Sequence, residues 1–301
     1  MFKKEQQRYD LISYTSDENI KLKDLLIDKL NFSVRSISKM KRERTVTVNG
    51  VFRKPSLDVK SGETVEIKID EEMASFVPQK MDNMDILYDD FDIIMVNKPP
   101  FMVVHPTKSH ADMTMANGVT DFVISKGEKV RIRFVNRLDM NTSGLVIVAK
   151  NAYAHHIMST DMSENAVEKK YIAVVKGIIE NNHGTINAPI YRPTDDSIKR
   201  VVDDRGQESI THYNVIERLN DATVVELKLE TGRTHQIRVH LSHIGHGIIG
   251  DELYGYVDEK LIKRQALHAY SLKFMQPRTR EELEFKAEIP EDMMSLIEKL
   301  R

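Results

Sequence analysis

The sequence predicts an α+β protein in which a small basic module precedes a larger domain built on a mostly antiparallel sheet. Three observations predict it. Residues 19–69 carry two helical patterns followed by two short strand patterns and a turn signal. From Asp85 onward strand-like runs dominate, at 92–97, 145–149, 171–176 and 223–229. Helical patterns around residues 111–125, 152–165 and 234–244 interrupt these runs without the regular strand–helix beat of a parallel sheet.

In the first module, Asn19 is expected to cap a helix whose Leu22, Leu25, Leu26 and Leu30 share one face. Ser33 is expected to cap a second helix running to about Arg44. At 100° per residue, Val34, Ile37 and Met40 fall on one arc of it, and Arg35, Lys39 and Arg42 on another arc about 60° wide. Strands at 45–48 and 64–69 follow, with Asn49-Gly50 as a hairpin turn. Residues 70–84 lack periodicity, contain Pro78 and read as a linker. The division expected is a basic module at 1–72, a linker at 73–84 and a second domain at 85–301.

Composition narrows the function. The 301 residues hold 44 Lys plus Arg against 46 Asp plus Glu, a net charge of −2, which excludes a uniformly basic nucleic-acid coat but not a local basic face. Residues 33–54 hold seven basic residues and one acid, a local excess of six positive charges on the small module. Such segregation suits phosphate binding better than a merely solvated surface. With no Cys, disulfides, thiolate nucleophiles and Cys-ligated metals are excluded, and a reducing cytosol is the expected compartment. No apolar run approaches the ~20 residues of a membrane span, and no apolar segment follows the basic start as in a secretory signal.

Three tempting motifs fail on context. Gly245-His246-Gly247-Ile248-Ile249-Gly250 fits a dinucleotide fingerprint, but a helix precedes it where a strand is required. His235, His240, His243 and His246 lack a carboxylate at metal-site spacing, and glycines break the helix before His246. Thr142-Ser143-Gly144 precedes a strand, whereas a nucleophile elbow needs Gly at 141, where Asn stands, and a helix after the Ser. Polar chemistry is left in residues 131–150, where Arg137 and Asp139 point to one side of an extended chain before a turn at 141–144. Taken alone, such an Asp is more often a turn cap than a catalyst.

That segment, Asn136-Arg137-Leu138-Asp139-Met140-Asn141-Thr142-Ser143-Gly144, closely resembles the H-R-L-D-x-x-T-S-G motif of the RluA family of pseudouridine synthases. Lys169-Lys170-Tyr171-Ile172-Ala173 is similar to the family's K-x-Y-x-A element, and Thr231-Gly232-Arg233-Thr234-His235-Gln236-Ile237-Arg238-Val239-His240 to its T-G-R-x-H-Q-I-R-x-H element. Asn97-Lys98-Pro99-Pro100, His105-Pro106, Gly250-Asp251-Glu252-Leu253-Tyr254-Gly255 and Leu267-His268-Ala269 follow the family's order. The first module, with its basic stripe and V-x-V-N-G hairpin, resembles the S4 RNA-binding module. Two positions depart: Asn136 replaces the family's usual His, and Gln276 stands where a His often precedes Pro277.

The resemblance implies an isomerase that converts uridine in RNA to pseudouridine without cofactor or metal. It implies Asp139 as the carboxylate that acts at the sugar or base, Arg238 as its partner, and Tyr171 as the ring against the target base and a carrier of the C5 proton. Arg35, Lys39, Arg42, Arg44, Arg137, Arg233 and His235 are the expected RNA contacts, and the segment 191–205 is expected to close over RNA. The implied partner is RNA, large-subunit ribosomal RNA ahead of transfer RNA, met by a monomer with no membrane contact. A non-catalytic RNA-binding assembly factor is the alternative, set apart by the intact Asp139, Tyr171 and Arg238. An unrelated hydrolase lacks any nucleophile–base pair at recognisable spacing.

Overall fold

The computed structural model describes residues 2–69 and 76–301. Residues 70–75, the end of the expected basic module and the start of the expected linker at 73–84, lie outside the described part, and 76–84 form no helix or strand.

After a single 3-10 turn at Lys4–Gln6, the N-terminal module has a strand outside the sequence expectation, β1 (Leu11–Thr15), followed by β2 (Ile20–Lys21). One turn of helix, α1 (Leu22–Asp24), widens into a π turn at Leu25–Lys29. Leu22, Leu25, Leu26 and Leu30 are all fully buried, as the spacing required. Asn19 does not cap this turn. Its Oδ1 accepts from the Ser61 amide at 2.9 Å, so it joins two loops instead. Helix α2 (Val34–Glu43) starts at Ser33, whose Oγ accepts from the Ser36 amide. Ile37 and Met40 are buried, but Val34 is 62% exposed, because the first turn of α2 projects beyond the module's core. The strands β3 (Val46–Val48), β4 (Val51–Phe52), β5 (Asp58–Val59) and β6 (Thr64–Lys68) complete the module. Its antiparallel sheet has the order β1-β6-β3-β4, and β2 pairs with β5. Asn49 and Gly50 both have positive φ (50° and 79°), as the tight β3–β4 hairpin demands.

The larger domain runs β7 (Asp85–Asp89), β8 (Ile93–Lys98), α3 (Met115–Ser125), β9 (Arg133–Phe134), β10 (Ser143–Ala149), α4 (Ala152–Ser163) and β11 (Glu168–Lys176). It continues through β12 (His183–Asn187), β13 (Ile190–Tyr191), β14 (Val201–Val202), β15 (Ile210–Arg218), β16 (Ala222–Leu229) and α5 (Gln236–His243). Strands β17 (Leu267–Met275) and β18 (Glu282–Lys286) and helix α6 (Glu291–Leu300) end it. The main sheet has the order β12-β15-β16-β11-β17-β10-β8-β7, with β9 on β10 and β18 on β17. The pair β10–β17 is parallel and the other described pairs are antiparallel, so the α+β expectation with a mixed, mostly antiparallel sheet is met.

The central strands are apolar on both faces because helices cover both. On one face Ile94, Val96, Val146 and Val148 pack with Met115, Val119 and Val123 of α3. On the other, Ile93, Met95, Leu145 and Ile147 pack with Met158 of α4. Toward β15 and β16, Ile237 and Leu241 of α5 and Leu296 of α6 fill the third cluster. At Gly144, φ is +114° and a Cβ would stand 2.2 Å from the Ala269 carbonyl oxygen. The crossing of β10 and β17 therefore excludes any side chain there. It fixes the start of β10, and with it the turn just before.

Candidate functional site

The turn 139–142 closes with the Thr142 amide donating to the Asp139 carbonyl at 3.1 Å. Asp139 lies at the mouth of a cavity of about 480 Å³, in the size range of ligand sites. Val103, Val104, His105, Met140, Ile198 and Leu253 give this cavity largely apolar walls. A narrower recess of about 80 Å³ continues from it, and there Asp139, Tyr171 and Arg238 come together.

Arg238 forms a fork between two carboxylates. Its Nη1 donates to Asp139 Oδ2 at 2.8 Å, while Nε and Nη2 donate to Asp251 at 2.7 and 2.8 Å. The side chain of Asp251 is fully buried and that of Asp139 is 24% exposed, so Asp251 anchors the guanidinium and Asp139 faces the cavity. Burial alone would lower the pKa of Arg238, but the bonds and charge of Asp251, and then Asp139, outweigh it and raise it. Tyr254 lies under the guanidinium with its ring centroid 5.2 Å away. Neither Asp251 nor Tyr254 was singled out by sequence reading. The only signal was their place in the Gly250–Gly255 motif.

Tyr171 projects from β11, where the register with β17 shifts between Lys170 and Tyr171. Such a bulge re-aims the side chain. It packs against residues from two core clusters, and burial, with a smaller contribution from the Asp139 charge, pushes its phenol up to about 12. The ring thus offers an apolar face with a protonated hydroxyl near neutral pH.

His235, expected on the RNA surface, is instead tucked into the site. It sits just before α5 with φ 58° and ψ 19°, a left-handed conformation that costs a non-glycine residue energy. Its Nε2 is 3.8 Å from Asp139 Oδ2, and its Nδ1 meets the Tyr254 hydroxyl at 2.9 Å. Burial lowers its pKa, so the ring is neutral at pH 7. The Tyr254 hydroxyl also accepts from the Arg200 amide at 2.7 Å, which ties the segment 191–205 to the site's rim.

Buried cations hold the turn from below. Lys98, fully buried, donates from Nζ to the carbonyls of Pro99, Met102 and Met140 at 2.8, 2.9 and 2.9 Å. Burial and the nearby Arg264 push its pKa down to about 7, against the opposing pull of Asp139. Arg264, also buried, reaches the Asn141 carbonyl at 3.3 Å and forks Asp292 of α6 at 2.6 and 2.8 Å. Gln265 donates to Thr142 Oγ1 at 3.1 Å.

The two departures from the motif lie away from this cavity. Asn136 donates to the Leu145 carbonyl at 3.2 Å and accepts from the Ile147 amide at 2.8 Å, so its amide mimics a strand partner for β10. Gln276 bonds Asp90, Asp92 and the amides of Arg278 and Thr279 at the opposite end of the sheet.

The other expected RNA contacts stay on the surface. Arg137 is exposed at the rim of the cavity, and Arg233 is exposed with Nε donating to the Glu208 carbonyl at 3.1 Å. Arg35, Lys39 and Arg42 are exposed on α2, with Glu43 reaching Lys39 at 3.8 Å and Arg42 at 3.2 Å. Arg44 ends the helix in a left-handed conformation with its guanidinium 5.0 Å from the Phe52 ring centroid. Of the four histidines, His240 is consumed by Thr211 and the Ala188 carbonyl, and His246 by the Lys176 carbonyl. The described residues hold no group of three or more His, Asp or Glu placed to bind a metal ion.

Residues 92–243 match the family model described as RNA pseudouridylate synthase. The uncharacterized RNA pseudouridine synthase YlyB of Bacillus subtilis is 42% identical over 275 residues, 90% of each chain. The ribosomal large subunit pseudouridine synthase D of Escherichia coli is 38% identical over 274 residues, 86% of this chain and 83% of that one. Among solved structures, human RNA pseudouridylate synthase domain containing 1 superposes with a TM-score of 0.57 at 30% identity, covering 70% of this chain and 85% of that one.

Proposed function

The chain belongs to the RNA pseudouridylate synthase family and is an RNA pseudouridine synthase, and from that premise we propose how its site works and which RNA it serves. The reaction breaks the N1–C1′ bond of a uridine, turns the base and joins C5 to C1′. The C5 proton leaves and N1 gains one, so no oxidant and no net water are needed. Asp139 supplies the negative charge that acts on the sugar or base as the glycosidic bond opens. Arg238, anchored on Asp251, aims that carboxylate into the cavity. Tyr171 stacks against the freed uracil, and its hydroxyl relays the C5 proton, passing its own proton to the released Asp139 carboxylate as it takes the new one. The neutral His235 lines the same recess and contributes a second polar contact beside Asp139.

The observation that carries this reading is the fork of Arg238 between Asp139 and Asp251, with Asp139 facing a largely apolar cavity and sharing with Tyr171 the narrower recess that continues from it. A pure RNA-binding factor has no use for a carboxylate aimed into a recess. The target uridine must leave its stack to reach Asp139, at a cost of a few kcal/mol that is smallest in loops and bulges. The N-terminal module is read as S4-like, and its exposed Arg35, Lys39 and Arg42 are proposed to supply part of that energy through phosphate contacts. The substrate proposed is large-subunit ribosomal RNA, the substrate named for the D-type relative. The chain is read as a monomer acting in the cytosol.

Tritium release tests this directly. Large-subunit ribosomal RNA and transfer RNA, labelled at uracil C5 and taken from a host lacking the gene, are each incubated with the protein. Release from the ribosomal RNA, mapped to defined pseudouridines, is expected. Release only from transfer RNA would move the substrate assignment, and none from either would remove the catalytic reading.

A further inference from the structure

The end of the sheet opposite the catalytic turn holds a second buried ionic cluster, and it joins the two modules. Arg278, fully buried just after β17, pairs with the equally buried Asp92, just before β8, at 2.8 Å. The guanidinium then crosses into the N-terminal module: Nη1 donates to Gln7 Oε1 at 3.2 Å and to the carbonyls of Arg8 and Leu11 at 3.0 and 2.7 Å. Asn151 donates to the same Asp92 oxygen as Arg278, Oδ1, at 2.9 Å, and Gln276 to the other, Oδ2, at 3.2 Å. An apolar contact backs this clamp. Tyr153 and Ile157 of α4 belong to the same core cluster as Leu26, Ile37 and Met40 of the N-terminal module, and the Phe32 and Tyr153 rings are 4.9 Å apart.

The geometry sets a spacing. Strand β8 runs from the clamp at Asp92 to Lys98 beneath the catalytic turn. At about 3.3 Å per residue its six residues span roughly 20 Å. A module on a loose tether would contribute only an effective concentration of RNA-binding groups. A module held by a buried, hydrogen-bonded cation presents its basic helix at a fixed distance and angle, so a folded RNA that matches this spacing binds without the cost of ordering the module. The edge of that helix faces the catalytic domain, because Lys39 lines a cleft of about 330 Å³ with Tyr153 and His156 of α4.

We propose that Arg278 is a positioning and specificity residue: it locks the N-terminal module to the catalytic domain, and the enzyme therefore selects folded RNA that reaches both the module and the catalytic turn over a short oligonucleotide carrying only the target loop. The proposal rests on the isomerase reading above and adds to it the requirement for a rigid second contact.

Two measurements test it. The first compares kinetics of wild type, Arg278→Met, Arg278→Lys and Gln7→Ala on a folded ribosomal RNA fragment and on a short oligoribonucleotide with the same target loop. For Arg278→Met, KM on the folded fragment is expected to rise at least tenfold at unchanged kcat, with no change on the short one. Arg278→Lys should recover part of this, and Gln7→Ala, which keeps the buried ion pair, should show the same split in smaller measure if Arg278→Met does not fold. An equal loss on both RNAs, or no loss on either, overturns the proposal. The second measurement uses the absence of native cysteine. Spin labels at Ser38→Cys and Asn181→Cys should report one narrow distance in the wild-type background and a broad one with Arg278→Met. A broad wild-type distribution overturns the rigid docking. Because this readout needs no turnover, it separates failure of the clamp from failure of the isomerase reading, which would appear as wild type inactive on both RNAs.

Discussion

Asp139 Oδ2 and Arg238 Nη1 meet at 2.8 Å across 99 residues of chain, while Nε and Nη2 of the same guanidinium donate to Asp251. The carboxylate that faces the cavity is therefore aimed by a group that is itself anchored. Asp139→Asn keeps the shape and removes the charge. Isomerisation should fall by about three orders of magnitude or more, while RNA affinity stays within about threefold. Single-turnover tritium release and filter binding check both halves. Retained turnover in this variant would falsify the assignment of Asp139.

Asp251→Asn should act through the anchor. Removing one partner of a buried ion pair costs on the order of 3 kcal/mol, so a fall in thermal midpoint is expected together with a drop in kcat. Arg238→Lys cannot fork two carboxylates and should lose kcat by about a hundredfold with little change in KM. An effect on KM alone would place Arg238 in RNA binding instead.

Tyr171→Phe keeps the ring and removes the hydroxyl. RNA binding should persist, while the rate falls by about 10²–10⁴, the range for a positioned proton carrier. Because burial pushes this phenol up to about 12, the wild-type rate should show no descending limb from Tyr171 between pH 6 and about 10. A limb in that window that vanishes in Tyr171→Phe would show that the phenol ionises during the reaction.

His268 gives a stability prediction with a definite sign. Its Nε2–H donates to the Ala287 carbonyl at 3.2 Å, which leaves Nδ1 to accept from Ser143 Oγ at 2.9 Å. Burial, with a smaller push from Arg264, lowers its pKa to about 4. The unfolded chain takes up a proton near pH 6.5 and the folded one only near 4, so stability is complete above pH 6.5 and declines between 6.5 and 4. The loss is on the order of 3 kcal/mol. Urea titrations of wild type and His268→Asn at pH 7 and 4.5 should show a smaller acid-side loss in the variant.

Neutralising Arg35, Lys39 and Arg42 together should weaken RNA binding and reduce the slope of log K against log salt by about two. The partial pairing of Lys39 and Arg42 with Glu43 argues for a reduction below the full three contacts. An unchanged slope would mean that the stripe is merely solvated.

Much of this architecture was legible because periodicity reports burial. The leucine spacing at 22, 25, 26 and 30 found the module's core, and the apolar runs found β8, β10, β11 and β16. What failed were features set by distant partners. Asn19 has the chemistry of a cap, but Ser61 claims it from 42 residues away. Val34 fits the apolar arc, yet nothing packs over the first turn of α2, and it stays exposed. At the site, motif order pointed to Asp139, Tyr171 and Arg238, whereas Asp251, the buried end of the fork, was marked only by its place in the Gly250–Gly255 motif, because its partner lies 13 residues back on α5. His235 is expected among the RNA contacts, yet the left-handed turn before α5 brings it inward to Asp139 and Tyr254.

Arg264 links the Asn141 carbonyl to Asp292 of α6, so the shape of the loop bearing Asp139 depends on a helix that supplies none of the groups proposed for the chemistry. Damage at that distant helix, by substitution or local unfolding, would travel to the carboxylate through a single guanidinium, leaving every reacting group present but its loop unbraced.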